Sequence, residues 1–307
     1  MTTLANQRVA YLNGQILPES EVRVSFRDRG YKYGDAVFDM TRTFGHKVYK
    51  LKEHIDRFYR SLRYVRIDPG MSPEEMIRKS EEVLERNLHL LDRNDDYWLG
   101  QRVSRGVDNV AGETPIQTGP TVVIECTPLP LKARANFYRA GLDVVVPSTR
   151  RVAPSMLSPR AKTHNYLNMI IGEQEAKATN PNSWAVLLDE NGNLAEGIGS
   201  NIFIVRDGIV FTPSERYVLP GVSRQTAMDL AKDLGIKLVE GDIDLFDAYV
   251  ADEAFVTSTS FCICPVATIN GNPMAERAIP GPVTKRLMDA YVKYVNYDWV
   301  QQYLRHA

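Results

Sequence analysis

Lys162 lies between Pro159 and a stretch read as the start of a helix near His164. The positive end of such a helix lowers the pKa of a neighbouring amine and makes it a better nucleophile. Glu196 sits in Asn193-Leu-Ala-Glu-Gly-Ile-Gly-Ser-Asn201, where glycines on its C-terminal side permit tight turns beside a carboxylate. Leu219-Pro-Gly-Val-Ser-Arg224 opens a helix with backbone donors and a hydroxyl, an arrangement that binds phosphate without a charged side chain. Taken singly these are a solvated lysine, a loop carboxylate and an N-cap, and Arg57 in His54-Ile-Asp-Arg57 is a salt-bridged helix residue. Their order along the chain carries more than any one of them.

Other chemistries lack their residues. There is no Walker loop. Gly197-Ile-Gly199 begins like a dinucleotide loop, but the third glycine is missing and an apolar, strand-like run follows. The five histidines form no H-E-x-x-H, and Cys262-x-Cys264 has no second pair, so no metal site is expected. With 37 Lys+Arg against 38 Asp+Glu, a net charge of -1 leaves no cationic surplus for nucleic acid or an anionic membrane. Hydrophobic content of 44% with 24% charged residues is that of a soluble globular protein. No apolar run approaches the roughly 20 residues of a membrane span, and the first residues lack the pattern of a secretory signal. Three cysteines in 307 residues fit a reducing compartment, and a cytoplasmic protein is expected.

The elements that must position these residues are partly legible. Val9 to Ile16 reads as a hairpin around Asn13-Gly14, and Val37 to Leu51 as two strands around Gly45. A helix is expected over His54 to Tyr64. Another follows Ser72-Pro73-Glu-Glu75, where an N-cap, a proline at the first helical position and an acidic first turn precede Met76, Ile77, Val83, Leu84, Leu88 and Leu91. Short strands are expected at Asp143 to Pro147, Trp184 to Asp189, Asn201 to Val205 and Ile209 to Thr212. Helices are expected after Lys162, from Ser223 to Gly235 and after Pro282. Pro128 and Pro130 argue against a helix or central strand there, which places a linker at 127–136 between a domain at 1–126 and one at 137–307. The mixture of helices and hairpins is α/β or α+β.

In sequence order, Arg29-Gly-Tyr-Lys-Tyr-Gly-Asp-Ala-Val-Phe38, Leu51-Lys-Glu-His-Ile-Asp-Arg57, Lys162-Thr-His-Asn-Tyr166, Ala195-Glu-Gly-Ile-Gly-Ser-Asn-Ile-Phe203, Leu219-Pro-Gly-Val-Ser-Arg224 and Ala251-Asp-Glu-Ala-Phe-Val-Thr-Ser-Thr259 resemble the class IV, fold type IV family of pyridoxal 5′-phosphate enzymes. The family holds branched-chain aminotransferases, D-amino-acid transaminases, (R)-selective amine transaminases and aminodeoxychorismate lyases, and the resemblance covers nearly the whole chain. It implies a two-domain fold with a small N-terminal α/β domain, a larger C-terminal domain of strands and helices, the cofactor between them, and a homodimer. It implies that Lys162 joins the cofactor aldehyde as a Schiff base and later moves a proton at the substrate Cα. It implies that Glu196 hydrogen-bonds the pyridine nitrogen and that Tyr166 donates to the phenolate oxygen. Arg57, the backbone donors of Val222 and Ser223, and the Thr259 hydroxyl would hold the phosphate, with Leu219 on the ring face. Substrate contacts are expected from Phe38, Met40, Arg42, Tyr97, Trp98, Ser258 and Ser260.

The expected activity is a ping-pong transaminase moving an amino group between an amine or amino acid and a keto acid, with a lyase as the alternative. A binding protein without catalysis is disfavoured because Lys162, Glu196 and Arg57 are all present. The subgroups differ in how they hold a substrate carboxylate. D-amino-acid transaminases carry an arginine and a histidine shortly after the Arg-Gly pair, whereas Arg105-Gly106 is followed by Val-Asp-Asn-Val-Ala-Gly-Glu. Branched-chain enzymes show Tyr-x-Arg where this chain has Tyr97-Trp98-Leu99, and Met40 stands where they tend to have glycine. With both arginine positions empty, (R)-amine:pyruvate activity is the expected type, and branched-chain or D-amino-acid activity the alternative. Arg42 is the expected cation for a keto acid, whereas a carboxylate-binding arginine from elsewhere, Arg102 or a partner-subunit residue, would favour the amino-acid activities instead.

Overall fold

The computed structural model describes residues 6–307. It divides into two compact units, the first running to Leu129 and including Ala161–Asn165, the second made of Pro130–Arg160 and Tyr166–Ala307.

The first unit begins with a hairpin of β1 (Val9–Leu12) and β2 (Gln15–Pro18). Its turn residues Asn13 and Gly14 have φ of 44° and 98°, the left-handed pair that a two-residue hairpin requires. Then follow α1 (Arg29–Tyr33), β3 (Ala36–Phe44), β4 (Lys47–Val48), α2 (Leu51–Val65), α3 (Pro73–Leu88), β5 (Tyr97–Ser104) and β6 (Thr121–Pro128). Among the described residues the six strands lie in the order β2-β1-β6-β5-β3-β4. Leu51, Ile55, Phe58 and Leu62 recur at helical spacing on α2 and are buried. With Met76, Val83 and Leu84 of α3 they cover one face of the sheet, packing on Val37, Leu99, Val103 and Ile124. The helix from Ser72 forms as its sequence predicts, with the Ser72 hydroxyl accepting from the Glu75 N–H at 3.2 Å. Strand alternation puts Phe38 and Met40, Trp98 and Arg102, and Val123 and Glu125 on the opposite face.

The second unit contains α4 (Leu131–Ala140), β7 (Leu142–Val145), α5 (Leu167–Thr179), β8 (Trp184–Leu188), β9 (Leu194–Gly197), β10 (Ser200–Arg206) and β11 (Ile209–Pro213). These are followed by α6 (Val222–Asp233), β12 (Leu238–Gly241), α7 (Leu245–Tyr249), β13 (Glu253–Ser258), β14 (Cys262–Ile269), β15 (Asn272–Pro273), α8 (Pro282–Val295) and α9 (Trp299–Leu304). β9 pairs with both β8 and β10, so β10, β13, β14, β7, β8 and β9 close into a ring, with β11 and β12 extending from β10. A closed ring leaves no free edge among its members and holds β9 and β10 in fixed register.

Two boundary expectations change. The stretch 127–136 is not a linker: β6 runs to Pro128 and α4 starts at Leu131. Pro128 is the last strand residue and Pro130 the helix N-cap, places where a missing N–H costs little. Nor is the division one cut, since Ala161–Asn165 belongs to the first unit. Among the described residues, no helix is long and apolar enough to cross a membrane.

Candidate active site

In the first unit the site is organised by β3. Asp39 points to the helix-covered face and is fully buried. Its carboxylate accepts from Arg57 through Nε at 2.8 Å and Nη2 at 2.7 Å, and His54 Nδ1 lies 2.7 Å from Oδ1. Burial alone would raise the Asp39 pKa, but the Arg57 and His54 side chains outweigh it and hold the carboxyl well below its usual range. Burial lowers the His54 pKa against the pull of Asp39. The imidazole is therefore neutral at neutral pH, and its proton lies on Nδ1 because a carboxylate can only accept.

The same helix positions Lys162. The Ser61 hydroxyl donates to the Arg57 carbonyl at 3.2 Å and accepts the Lys162 N–H at 3.0 Å. Phe38 N–H donates to the Lys162 carbonyl at 3.0 Å, and His164 N–H to the Ala36 carbonyl at 2.9 Å, so the segment lies along β3 like a short extra strand. Lys162 is 8% exposed, and its Nζ sits 4.4 Å from the centroid of the Phe38 ring. Two more side chains meet that ring: the Arg102 guanidinium at 5.3 Å and the His164 imidazole, edge-on, at 5.4 Å. Burial first, then the Arg102 and Lys162 charges, push the His164 pKa down to about 4.

The helix expected after Lys162 forms, but it begins three residues beyond His164. α5 starts at Leu167 with Tyr166 as its N-cap, because the backbone groups of 162–164 are committed to β3. Lys162 accordingly sits beside an aromatic ring and along β3, not at a helix terminus. Two expected substrate residues are also reassigned. Arg42 is 1% exposed, lies 3.6 Å from the buried Asp96, donates through Nε to the Thr43 carbonyl at 2.9 Å and stacks over Phe44. Asp96 also accepts from Thr43, Gly45 and His46, so Arg42 belongs to the device that fixes the β3–β4 turn. Tyr97 is buried, with its hydroxyl donating to the Asn87 carbonyl of α3 at 3.1 Å. Phe38, Met40 and Trp98 remain half-buried on the uncovered face. Met40 lies over Gly100, where a Cβ would come within 2.5 Å of its Sδ.

In the second unit Glu196 is buried on β9. Arg151 Nε donates to Oε1 at 2.9 Å and the Leu219 N–H donates to Oε2 at 2.9 Å. Asn201, across the β9–β10 turn, donates to the Leu219 carbonyl at 3.0 Å and fixes the loop entering α6. A Cβ at Gly221 would meet the Asn201 side chain that the Leu219 carbonyl holds in place, so glycine suits that N-cap. No side chain caps α6, and Val222 and Ser223 are buried in its first turn. Tyr166 packs beside Met169 and Leu187. Thr259 is half-buried in the turn after β13. The hydroxyls of Ser258 and Ser260, expected at the substrate, have partners elsewhere: Ser258 accepts from the Phe261 N–H at 3.0 Å within the turn, and Ser260 accepts from Arg134 of α4. Asp39, Ser61 and Arg151 are participants that lie outside the quoted motifs, and Asn201 lies inside the Glu196 motif without an assigned role. Each acts through a partner distant in sequence; the proximity of Asp39 to Val37-Phe38 and of Asn201 to Glu196 were the signals available.

The amino-transferase class IV family profile matches residues 36–269. The chain belongs to the class IV aminotransferases. Its similarity to a putative branched-chain-amino-acid aminotransferase of Methanocaldococcus jannaschii is 36% identity over 291 residues, 94% of this chain and 96% of that one. To the branched-chain-amino-acid aminotransferase of Escherichia coli K12 it is 31% over 288 residues, 92% and 91% of the two chains. The solved branched-chain aminotransferase from Thermoproteus uzoniensis, with norvaline, superposes with a TM-score of 0.83 at 28% identity, covering 97% of each chain. Other solved branched-chain aminotransferase structures of the same TM-score are complexed with N-(5′-phosphopyridoxyl)-L-glutamate and with pyridoxamine 5′-phosphate. The cofactor of this aminotransferase is pyridoxal 5′-phosphate. Its residues fit that group. The uncapped α6 N-terminus presents backbone donors to an anion, and Thr257, opposite Asn201 in register, keeps a buried hydroxyl with no partner among the described residues. The Glu196 oxygens, each holding one donor, retain lone pairs for a ring N–H.

Proposed function

We propose that this aminotransferase accepts amines without an α-carboxylate, of the (R)-1-phenylethylamine type, and passes the amino group to a keto acid such as pyruvate. The observation that carries the proposal is the burial of Arg42 against Asp96. With that cation locked away, the uncovered face of the first unit's sheet presents Phe38, Met40 and Trp98, apolar groups suited to an aryl or alkyl substituent, beside an Arg102 already paired with Glu125. A fixed cation left unpaired by an amine would instead oppose such donors. Branched-chain amino acid donors are the second reading, favoured by the names of the similar proteins. A donor panel of L-amino acids, D-amino acids and both enantiomers of 1-phenylethylamine, with pyruvate and 2-oxoglutarate, tests both. If any amino acid is turned over at least about a hundredfold faster than every (R)-amine, a gap of about 2.7 kcal/mol in barrier, the first reading falls.

The residue roles follow the same proposal. Bound pyridoxal phosphate supplies an aldehyde for the amine and a protonated ring that accepts electrons from the substrate Cα. Lys162 would hold that aldehyde through its amine and would move the proton at the substrate Cα. Glu196, oriented by Arg151 and the Leu219 N–H, would accept the ring N–H. The Val222 and Ser223 amides, the Thr259 hydroxyl and Arg57 would hold the phosphate, Leu219 would pack on the ring, and the Tyr166 hydroxyl would donate to the phenolate oxygen. The reading includes a homodimer, for which the exposed Leu167, Ile170 and Ile171 of α5 offer an apolar surface; sedimentation at monomer mass would remove that part. It also includes a reducing, cytoplasmic setting, in which the three buried cysteines stay free thiols.

A further inference from the structure

Arg102 and Glu125 form an ion pair on the uncovered face of the first unit's sheet, with Nε–Oε1 at 2.7 Å and side chains 39% and 27% exposed. The register explains how they meet. Arg102 pairs with Val123 and with Phe38, so Glu125, two residues along β6, is its diagonal neighbour on the same face. Gly100 lies opposite Glu125, and a Cβ there would come within 3.3 Å of Glu125 Cγ, so the missing side chain leaves room for the carboxylate to lean toward Arg102. The Arg102 guanidinium and the Lys162 amine border the same Phe38 ring. Glu125 takes the Nε edge of the fork, and the two terminal nitrogens make no hydrogen bond among the described residues.

We propose that Arg102 is the specificity-determining cation of this enzyme: it binds the carboxylate of the keto acid acceptor, and Glu125 is the counter-ion that takes it back when the substrate has no carboxylate. A guanidinium offers two edges to carboxylates, so an incoming one can join or replace Glu125. The pair is partly solvated, and exposed pairs of this kind contribute little, so exchanging one carboxylate for another is nearly neutral. Arg102 is then never left without a partner, and one site handles both an amine and a keto acid. Arg42, closed off by Asp96, cannot do this.

The inference rests on the placement of Lys162 proposed above, and its test does not depend on it. Holoenzyme is titrated with isobutyrate, a carboxylate that cannot react, and binding is read from the cofactor absorbance. Stopped-flow measurements follow the pyruvate and the 1-phenylethylamine half-reactions separately. Arg102→Gln should weaken isobutyrate and pyruvate binding by about fivefold, the size expected for a partly solvated ion pair, with the maximal rates and the amine half-reaction within about twofold. Arg102→Lys should recover part of the loss. Glu125→Gln should tighten isobutyrate several-fold and weaken amine binding. Equal losses in both half-reactions, or unchanged isobutyrate binding in Arg102→Gln, would overturn the proposal. A wrong placement of Lys162 would show separately, as borohydride labelling of another lysine.

Discussion

Phe38 and Asp39 are neighbours on one strand and face opposite sides of one sheet, and basic side chains gather at both. Around Asp39 the charges are buried and matched, with Arg57 held by two hydrogen bonds and His54 by one. Around Phe38 the basic groups Lys162, Arg102 and His164 share a ring, and the Glu125 carboxylate that pairs with Arg102 is partly solvated. The helix-covered side has the chemistry of a fixed support, because breaking a buried pair leaves a charge that nothing solvates. The uncovered side has the chemistry of a working site, because its charges can change partners at little cost. One residue of strand phase separates the two roles.

The most severe test of that division is Lys162→Ala, which should abolish transamination and the covalent cofactor link while leaving the fold intact. Borohydride reduction with peptide mapping reads the link, and unfolding midpoints read the fold; a destabilised Lys162→Ala protein would mean that the uncovered side is also structural. Glu196→Gln provides the control from the second unit. It should retain cofactor and lose activity by several orders of magnitude, since an amide cannot keep the ring nitrogen protonated, and spectral titration against turnover separates binding from catalysis.

On the covered side, Asp39→Ala should cost about 3–5 kcal/mol of stability by stranding Arg57, measured as a lower urea midpoint. Arg57→Ala should weaken cofactor binding by about 2–5 kcal/mol and also destabilise the protein, because it strands Asp39. If Asp39→Ala left stability untouched while lowering only the catalytic rate, the covered side would not be a support.

The smallest effect expected is a pH dependence from His164. Its folded pKa of about 4 lies below the ordinary 6.5. The unfolded chain therefore binds a proton that the folded protein refuses between those values. The His164 contribution to stability should be constant above pH 6.5 and fall below it by about 1.4 kcal/mol per unit until pH approaches 4, in addition to a slope of the same sign from His54. His164→Gln should flatten that part of the profile, as chemical denaturation at about pH 5 and about pH 7 would show; an unchanged slope would move its origin to another group.

Much of this was present in the order of residues alone. Asn13-Gly14, Ser72-Pro73 and the apolar spacing of α3 act over a few residues, and the structure forms the hairpin and helix they predict. The family, too, was carried by short motifs around Lys162, Glu196 and Leu219, and the family match bears it out. What the chain could not disclose by itself is which arginine stays available. Arg42 and Arg102 occupy alternate positions on paired strands and direct their side chains to the same face. One meets Asp96, far along the chain and fully buried, and the other meets Glu125 in partial contact with solvent. The start of α5 was decided in the same way, by hydrogen bonds from 162–164 to a strand more than a hundred residues earlier. Local spacing sets periodicity and turns, whereas the role of a charge depends on its counter-charge and on water, and both arrive only when register and packing bring distant segments together.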